Sequence, residues 1–352
     1  MSNKYLVMTI CYNDIRTQFL NSLLTKHGYK TISFTNVQQI PDTLYMTIPD
    51  LIIIAVENDA VSIYNAVCSN PDIGSRIPII ILCESYDRLD KAESFAAGCY
   101  DYISAPFDEN EILAKIKIHL EGKRLHRWLS DKITEQTKEL TEVQMETIVA
   151  MAELAESRDP LVTFHLDRIR RYCSVIARVL SEKEEFRHEI NQEFISLIYY
   201  ASALHDIGKI GVREGILNKC GKLTKEEFEI IASHTTKGSI ALKSVIEKYP
   251  NNSFIRMSTE IIRFHHESWN GKGYPIGIAE ETVPLSARIM TLSDVYDAVR
   301  SKRAYKEAKS HKEAVEEIII MKGIHLDPRI VEVFIEAQHE FAEIYEQFKE
   351  AE

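Results

Sequence analysis

Hydrophobic and polar positions along this chain follow two different rhythms. Over roughly the first 120 residues, short apolar runs alternate with amphipathic stretches: YLVMTI, IRTQFLNSLLTKHGY, DLIIIAV, IPIIIL and ENEILAKIKIHL. Strand-length runs bounded by turn signals such as Pro49-Asp50 and Ile77-Pro78 predict a parallel sheet wrapped by helices, a doubly wound α/β domain over residues 1–121. From residue 122 to 155 the sequence has no Pro and no Gly beyond Gly122, which predicts one long connecting helix. Leu129, Ile133, Leu140, Val143, Ala150 and Leu154 fall on one heptad seam, interrupted by Gln136 and Thr147. Either a parallel dimeric coiled coil or a helix docked on its own domain fits that seam, and a homodimer is the expectation. Residues 156–352 carry helical periodicity throughout, in LDRIRRYCSVIARVLSEKEEF, FISLIYYASALHDIGK and ARIMTLSDVYDAVRS, and predict an all-α domain.

The α/β segment resembles the receiver domain of bacterial response regulators, on KYLVMTI, PDLIIIAV, IPIIILCE and GCYDYISAPF in that order. A receiver needs a carboxylate acceptor, an acidic pair for Mg²⁺, a hydroxyl and a lysine. Ala55, Thr9-Ile10, Cys83 and Ala105 stand at those places, so the resemblance implies a receiver-like domain that is not phosphorylated. Such a domain works either as a sensing or dimerising module or as a retained scaffold, and it is a candidate contact for a protein partner.

Composition changes the picture only at its edges. At 352 residues the chain has room for two cores. A formal charge of −11 argues against broad adsorption to polymeric nucleic acid or anionic membrane. The apolar runs are strand-sized and the N-terminus lacks signal-peptide character, and the six cysteines are scattered without a CxxC pair; the expectation is a cytoplasmic protein with reduced thiols.

Candidate chemistry is confined to the helical half. His205 and Asp206 adjoin at the end of an apolar helix, where burial without partners is costly. His265 and His266 end another apolar run just before a glycine-rich turn closed by Tyr274-Pro275, and His165, His234 and Asp294 lie in further helical segments. An HD dipeptide alone is a weak signal, but the group together offers nitrogen and oxygen ligands in a number a plain core would not collect.

LHDIGKIG, NKCGKLTKEEFEIIASH, HHESWNGKGYP, ARIMTLSDVYDA and SKRAYK, in this order, resemble the HD-GYP family of metal-dependent phosphodiesterases. The resemblance implies an HD-type helical fold, divalent ions of iron or manganese, and hydrolysis of cyclic di-GMP to pGpG or GMP by a hydroxide bridging the ions. It places one ion on His165, His205, Asp206 and Asp294 and the other on Asp206, His234, His265 and His266, with Asp206 shared. Leu161, where some members carry a Glu that holds a third ion, implies two ions here. Lys209 is expected to neutralise charge in the transition state and Asp297 to orient the nucleophile or move a proton, with Tyr274, Arg303 and Lys306 contacting the substrate. Val162-Thr163, Asn270, Cys220 and Ala304 depart from the family pattern without removing a ligand. Two alternatives stand beside the enzyme: an effector that binds a cyclic dinucleotide with little turnover, and a hydrolase of another cyclic or linear dinucleotide.

Overall fold

The computed structural model describes residues 5–35, 47–55, 60–68, 77–83, 101–156, 164–219, 221–301 and 308–349. Gly98, Cys99, Leu161, Val162, Thr163, Cys220, Arg303, Ala304 and Lys306 lie outside them. The chain divides into two compact units, Met1–Lys138 and Glu139–Glu352.

The first unit holds five parallel strands, β1 (Leu6–Ile10), β2 (Lys30–Phe34), β3 (Leu51–Ala55), β4 (Ile79–Cys83) and β5 (Asp101–Ser104). Their order is β2-β1-β3-β4-β5, the doubly wound arrangement expected from the alternating pattern. Every residue of β3 and β4 is buried, as central parallel strands require when both faces are covered. Ile52 and Ile54 pack with Ile63, Tyr64 and Val67 of α2 (Ala60–Cys68) on one face. On the other, Leu51, Ile53 and Ala55 pack with Leu20 and Leu24 of α1 (Asp14–Lys26) and with Ile112 and Ile116.

Ala55 and Cys83 close neighbouring strands, and both are buried. Thr9 is also buried, its hydroxyl 2.8 Å from that of Ser33. A methyl, a thiol and a hydrogen-bonded hydroxyl offer neither a phosphoryl acceptor nor the hard oxygen ligands that Mg²⁺ requires.

A single helix, α3, runs through Glu109–Glu156 without interruption. It therefore begins within the segment assigned to the first domain, and Gly122 does not break it: one exposed glycine costs a helix only about 1 kcal/mol. Leu129, Ile133, Leu140, Val143 and Leu154 are solvent-exposed in the single chain.

The second unit is helical among its described residues. Its main elements are α4 (His165–Ser181), α5 (Gln192–Ala201), α6 (Lys225–Ala241), α7 (Ser253–Phe264), α8 (Leu285–Arg300), α9 (His311–Ile320) and α10 (Pro328–Gln347). Thr224 and Glu227 form a capping box that starts α6, and Asn252 caps α7. One core joins the helices, with Tyr172 of α4 stacked on Phe341 of α10 at 4.4 Å and set edge-on against Tyr296 of α8 at 5.3 Å. No described helix is long and apolar enough to cross a membrane.

Because no carboxylate stands at the end of β3, incubation of the whole chain with a small-molecule phosphoryl donor and Mg²⁺ will leave its intact mass unchanged. A gain of one phosphoryl group would contradict the loss of receiver chemistry in the first unit.

Candidate metal centre

Around Asp206 the second unit gathers most of its histidines. Asp206 ends the α5 region and leads into a short 3-10 segment, Ile207–Gly211, against which α6 packs closely. Gly208 makes that approach possible: a Cβ there would lie 2.0 Å from the carbonyl oxygen of His234, so any side chain would force α6 and its histidine away from Asp206. His265 and His266 follow α7, and the carbonyl of His265 accepts a 2.7 Å hydrogen bond from the Thr291 hydroxyl on α8.

Ligand atoms of Asp206, His234, His265 and His266 all lie within 4.8 Å of one another. A second group, Glu156, His165 and His205, satisfies the same limit. The imidazoles form a continuous set, with ring centres 5.5 Å apart for His165 and His205, 5.3 Å for His205 and His265, and 4.1 Å for His265 and His266. Asp294 on α8 stands beside the second group, 3.9 Å from His165 Nε2.

Tautomers are set from behind. The Nδ1 atoms of His205, His234 and His265 lie 2.9, 2.7 and 2.9 Å from the backbone carbonyls of Ser202, Ile231 and Ile261. A carbonyl only accepts, so each Nδ1 carries a proton, and wherever the ring is neutral its Nε2 lone pair points forward. His234 Nε2 and His265 Nε2 face each other at 3.5 Å. Two lone pairs with no proton between them repel, and a cation between such nitrogens removes the repulsion.

Asp206 meets the same lone pairs. Its Oδ1 is 3.1 Å from His234 Nε2 and 3.9 Å from His265 Nε2, and its Oδ2 is 3.3 Å from His205 Nε2. His205 Nε2 and Asp206 Oδ1 are nonetheless buried without an aligned hydrogen-bond partner among the described residues. Leaving such groups unmade costs about 1–3 kcal/mol each, more for a charge. These orphaned donors, aimed at one another in a dry cluster, fit divalent metal, and imidazole mixed with carboxylate suits iron, manganese or zinc better than calcium or magnesium.

Electrostatics agree with that reading. Burial and the neighbouring His205 push His265 down to about 3, and burial with His265 holds His266 well below the ordinary imidazole range, so both remain neutral ligands in water near neutrality. Burial also works against charge on His205, but Asp206, Glu156 and Asp294 overcome it and raise His205 to about 9. Lys209, one turn past Asp206, forms an ion pair with its Oδ2 and is raised above the ordinary lysine range by Asp206 and Glu156 despite burial.

Asp297 has a different place from the one its spacing suggested. It is buried, with Oδ1 accepting from Arg168 Nε at 2.6 Å and Oδ2 accepting from Arg168 Nη2 at 2.9 Å and His165 Nδ1 at 2.7 Å. Burial favours the neutral acid, but these hydrogen bonds prevail and hold the carboxyl at about 2. Both oxygens accept hydrogen bonds from Arg168 and His165, so Asp297 stands behind the His165 ring and fixes it with Nε2 toward the cluster.

Tyr274 packs its ring on His266, with centres 4.7 Å apart, and edge-on against Phe228. Its turn depends on Gly273, where a Cβ would lie 2.3 Å from the Ser268 nitrogen. Buried Glu267 accepts from the Ile276 and Gly277 amides, and Asn270 accepts from the Lys272 amide as an Asp would, so that departure from the family pattern keeps the turn. Arg303 and Lys306 fall outside the described residues.

Glu156 was missed in the sequence. It ends α3, is buried, and neither of its oxygens has a hydrogen-bond partner among the described residues. Burial pushes its carboxyl above the ordinary range. Its signal was phase: Ala152 and Val149 are buried one and two turns earlier, which puts Glu156 on the inward face of the helix.

A profile of the HD domain family matches residues 149–330. Among curated relatives, a Vibrio cholerae protein named "Probable cyclic di-GMP phosphodiesterase" is 34% identical over 85% of this chain and 70% of its own length. A Thermotoga maritima protein named "Cyclic di-GMP phosphodiesterase" is 27% identical over 98% of this chain and 93% of its own. A Vibrio cholerae protein named "3'3'-cGAMP-specific phosphodiesterase 2" is 32% identical over 58% of this chain and 37% of its own. The chain belongs to the HD-domain family, in its HD-GYP branch, with a receiver-like domain ahead of the helical one.

His205 is charged near neutral pH in the metal-free protein and must lose its Nε2 proton to bind a metal. Mn²⁺ binding will therefore release protons at about pH 7, and its affinity will rise by up to about tenfold per pH unit until about pH 9. Calorimetry in two buffers of different ionisation enthalpy reads this directly; heats independent of buffer would contradict the charge assigned to His205.

Proposed function

We propose that this protein hydrolyses cyclic di-GMP, to pGpG or onward to GMP, at a centre of two divalent ions, iron or manganese. The observation that carries the reading is the pair of converging ligand groups, with Asp206 in one and adjoining His205 in the other. Names carried by the Vibrio cholerae and Thermotoga maritima relatives support cyclic di-GMP as the substrate class.

His165, His205, Asp206 and Asp294 would hold one ion and Asp206, His234, His265 and His266 the other. Bound there, the ions would supply Lewis acidity, acidifying a water as nucleophile and drawing electrons from the phosphate under attack. The chain's own residues do the rest. The backbone carbonyls behind His205, His234 and His265, and Asp297 behind His165, keep the imidazoles aimed without reorganisation during reaction. Lys209 holds a positive charge beside the Asp206 carboxylate, where charge gathers on the phosphate in the transition state. Tyr274, packed on His266, offers an aromatic face for a guanine base, and Arg303 and Lys306 would meet phosphate and base by family resemblance.

The exposed line of Leu129, Ile133, Leu140 and Val143 supports pairing of two chains along α3, with the receiver-like unit regulating turnover without phosphorylation. The cGAMP-specific relative supports a second reading in which a different cyclic dinucleotide is preferred.

The test is hydrolysis by anaerobically prepared protein loaded with Fe²⁺ or Mn²⁺, with cyclic di-GMP and 3'3'-cGAMP supplied separately and products resolved by chromatography. We expect turnover of cyclic di-GMP with the higher kcat/KM. Lys209→Ala will lower kcat by about 10²–10³ with KM changing far less. Faster turnover of cGAMP would move the assignment to that substrate. Tight binding of either dinucleotide without hydrolysis would make the protein an effector.

A further inference from the structure

Glu156 is a buried carboxylate set against the metal cluster. Val149 and Ala152 of α3 are buried, Ala152 in the core of the second unit, and the helical repeat carries Glu156 to the same face. At that position its oxygens make no hydrogen bond among the described residues, although a carboxylate has room for several. A carboxylate oxygen lies with the ligand nitrogens of His165 and His205 inside the 4.8 Å limit, and Asp297 fixes the His165 ring so that its Nε2 faces the same point. A carboxyl group buried against imidazoles without a hydrogen bond of its own is costly, and a cation held between them removes that cost.

We propose that Glu156 is a metal ligand, completing with His165 and His205 the donor set of the first ion. This rests on the two-ion reading above and extends its ligand list by one residue. The first ion then sits among several carboxylates, Glu156, Asp206 and Asp294, whereas the second has three imidazoles and Asp206. Oxygen-rich surroundings favour harder ions, so the two positions differ in affinity and in metal preference, and Glu156 governs only the first. Because Glu156 lies in the last described turn of α3, binding of this ion and ordering of that turn are linked, and linkage acts in both directions.

The experiment uses the full chain, stripped with chelator and titrated with Mn²⁺, with bound metal counted by elemental analysis and helix-end protection read by hydrogen exchange. Wild-type protein is expected to take up two ions and to slow exchange of the amides over residues 149–156 on loading. Glu156→Gln keeps the size and shape of the side chain but is a poor ligand. It should keep one ion at unchanged affinity, bind the other at least about tenfold more weakly, and lose the metal-dependent protection. Glu156→Asp, which retains a carboxylate on a shorter arm, should fall between the two, and it carries the same reading if the Gln variant does not fold. Two ions bound by Glu156→Gln with wild-type affinities would overturn this inference alone. Wild-type protein that binds no Mn²⁺ would overturn it together with the two-ion centre. Two ions on the wild type without turnover would leave Glu156 as a ligand and remove only the phosphodiesterase activity.

Discussion

Everything in the second unit is arranged around an electrostatic problem that protein atoms alone leave open: the Asp206 carboxylate, buried, faces the lone pairs of His205, His234 and His265. Each histidine has spent its one proton on a backbone carbonyl behind it, so none has one to offer the aspartate unless it becomes charged. Without metal, a protonated His205 and the Lys209 ammonium supply part of the missing positive charge. Divalent ions bound there would supply the rest, and the cost of holding these groups in a dry cluster would become affinity for metal.

The surrounding architecture is the means of holding that cluster together. Gly208 lets α6 come close enough for His234 to share Asp206. α8 serves two purposes on adjacent turns, presenting Asp294 beside His165 and, three residues on, Asp297 behind it. Arg168, one turn along α4 from His165, neutralises Asp297 with two hydrogen bonds, so the carboxylate that aims the ring does not compete as a free anion. Tyr274 covers His266 from a turn that Glu267 and Gly273 shape.

Much of this was legible in the sequence because it is written locally. LIIIA and IIILC, apolar at every position, are what a parallel strand covered on both faces looks like, and both are central strands. His205-Asp206 and His265-His266 end apolar helices, where as a group they are costly to bury without a shared polar function, and the structure brings them together with His165, His234 and Asp294. What was not legible depends on distant partners. The carboxylate of Asp297 looked free for chemistry because Arg168, 129 residues away, does not announce itself in the sequence. Glu156 lies outside every motif, and only the burial phase of α3, set by Val149 and Ala152, marks it. The amphipathic stretch ENEILAKIKIHL and the connecting helix over 122–155 are one continuous helix, because a long helix tolerates Gly122.

The proposed centre depends on Asp206 being shared between two ions, and counting ions tests that sharing most directly. Chelator-stripped wild-type protein and an Asp206→Asn variant, equilibrated with Mn²⁺ and freed of excess, should retain two ions per chain and fewer than one, respectively, because the amide removes the negative charge both positions share. Retention of both ions by the Asn variant would contradict a shared carboxylate and, with it, the two-ion centre built on Asp206.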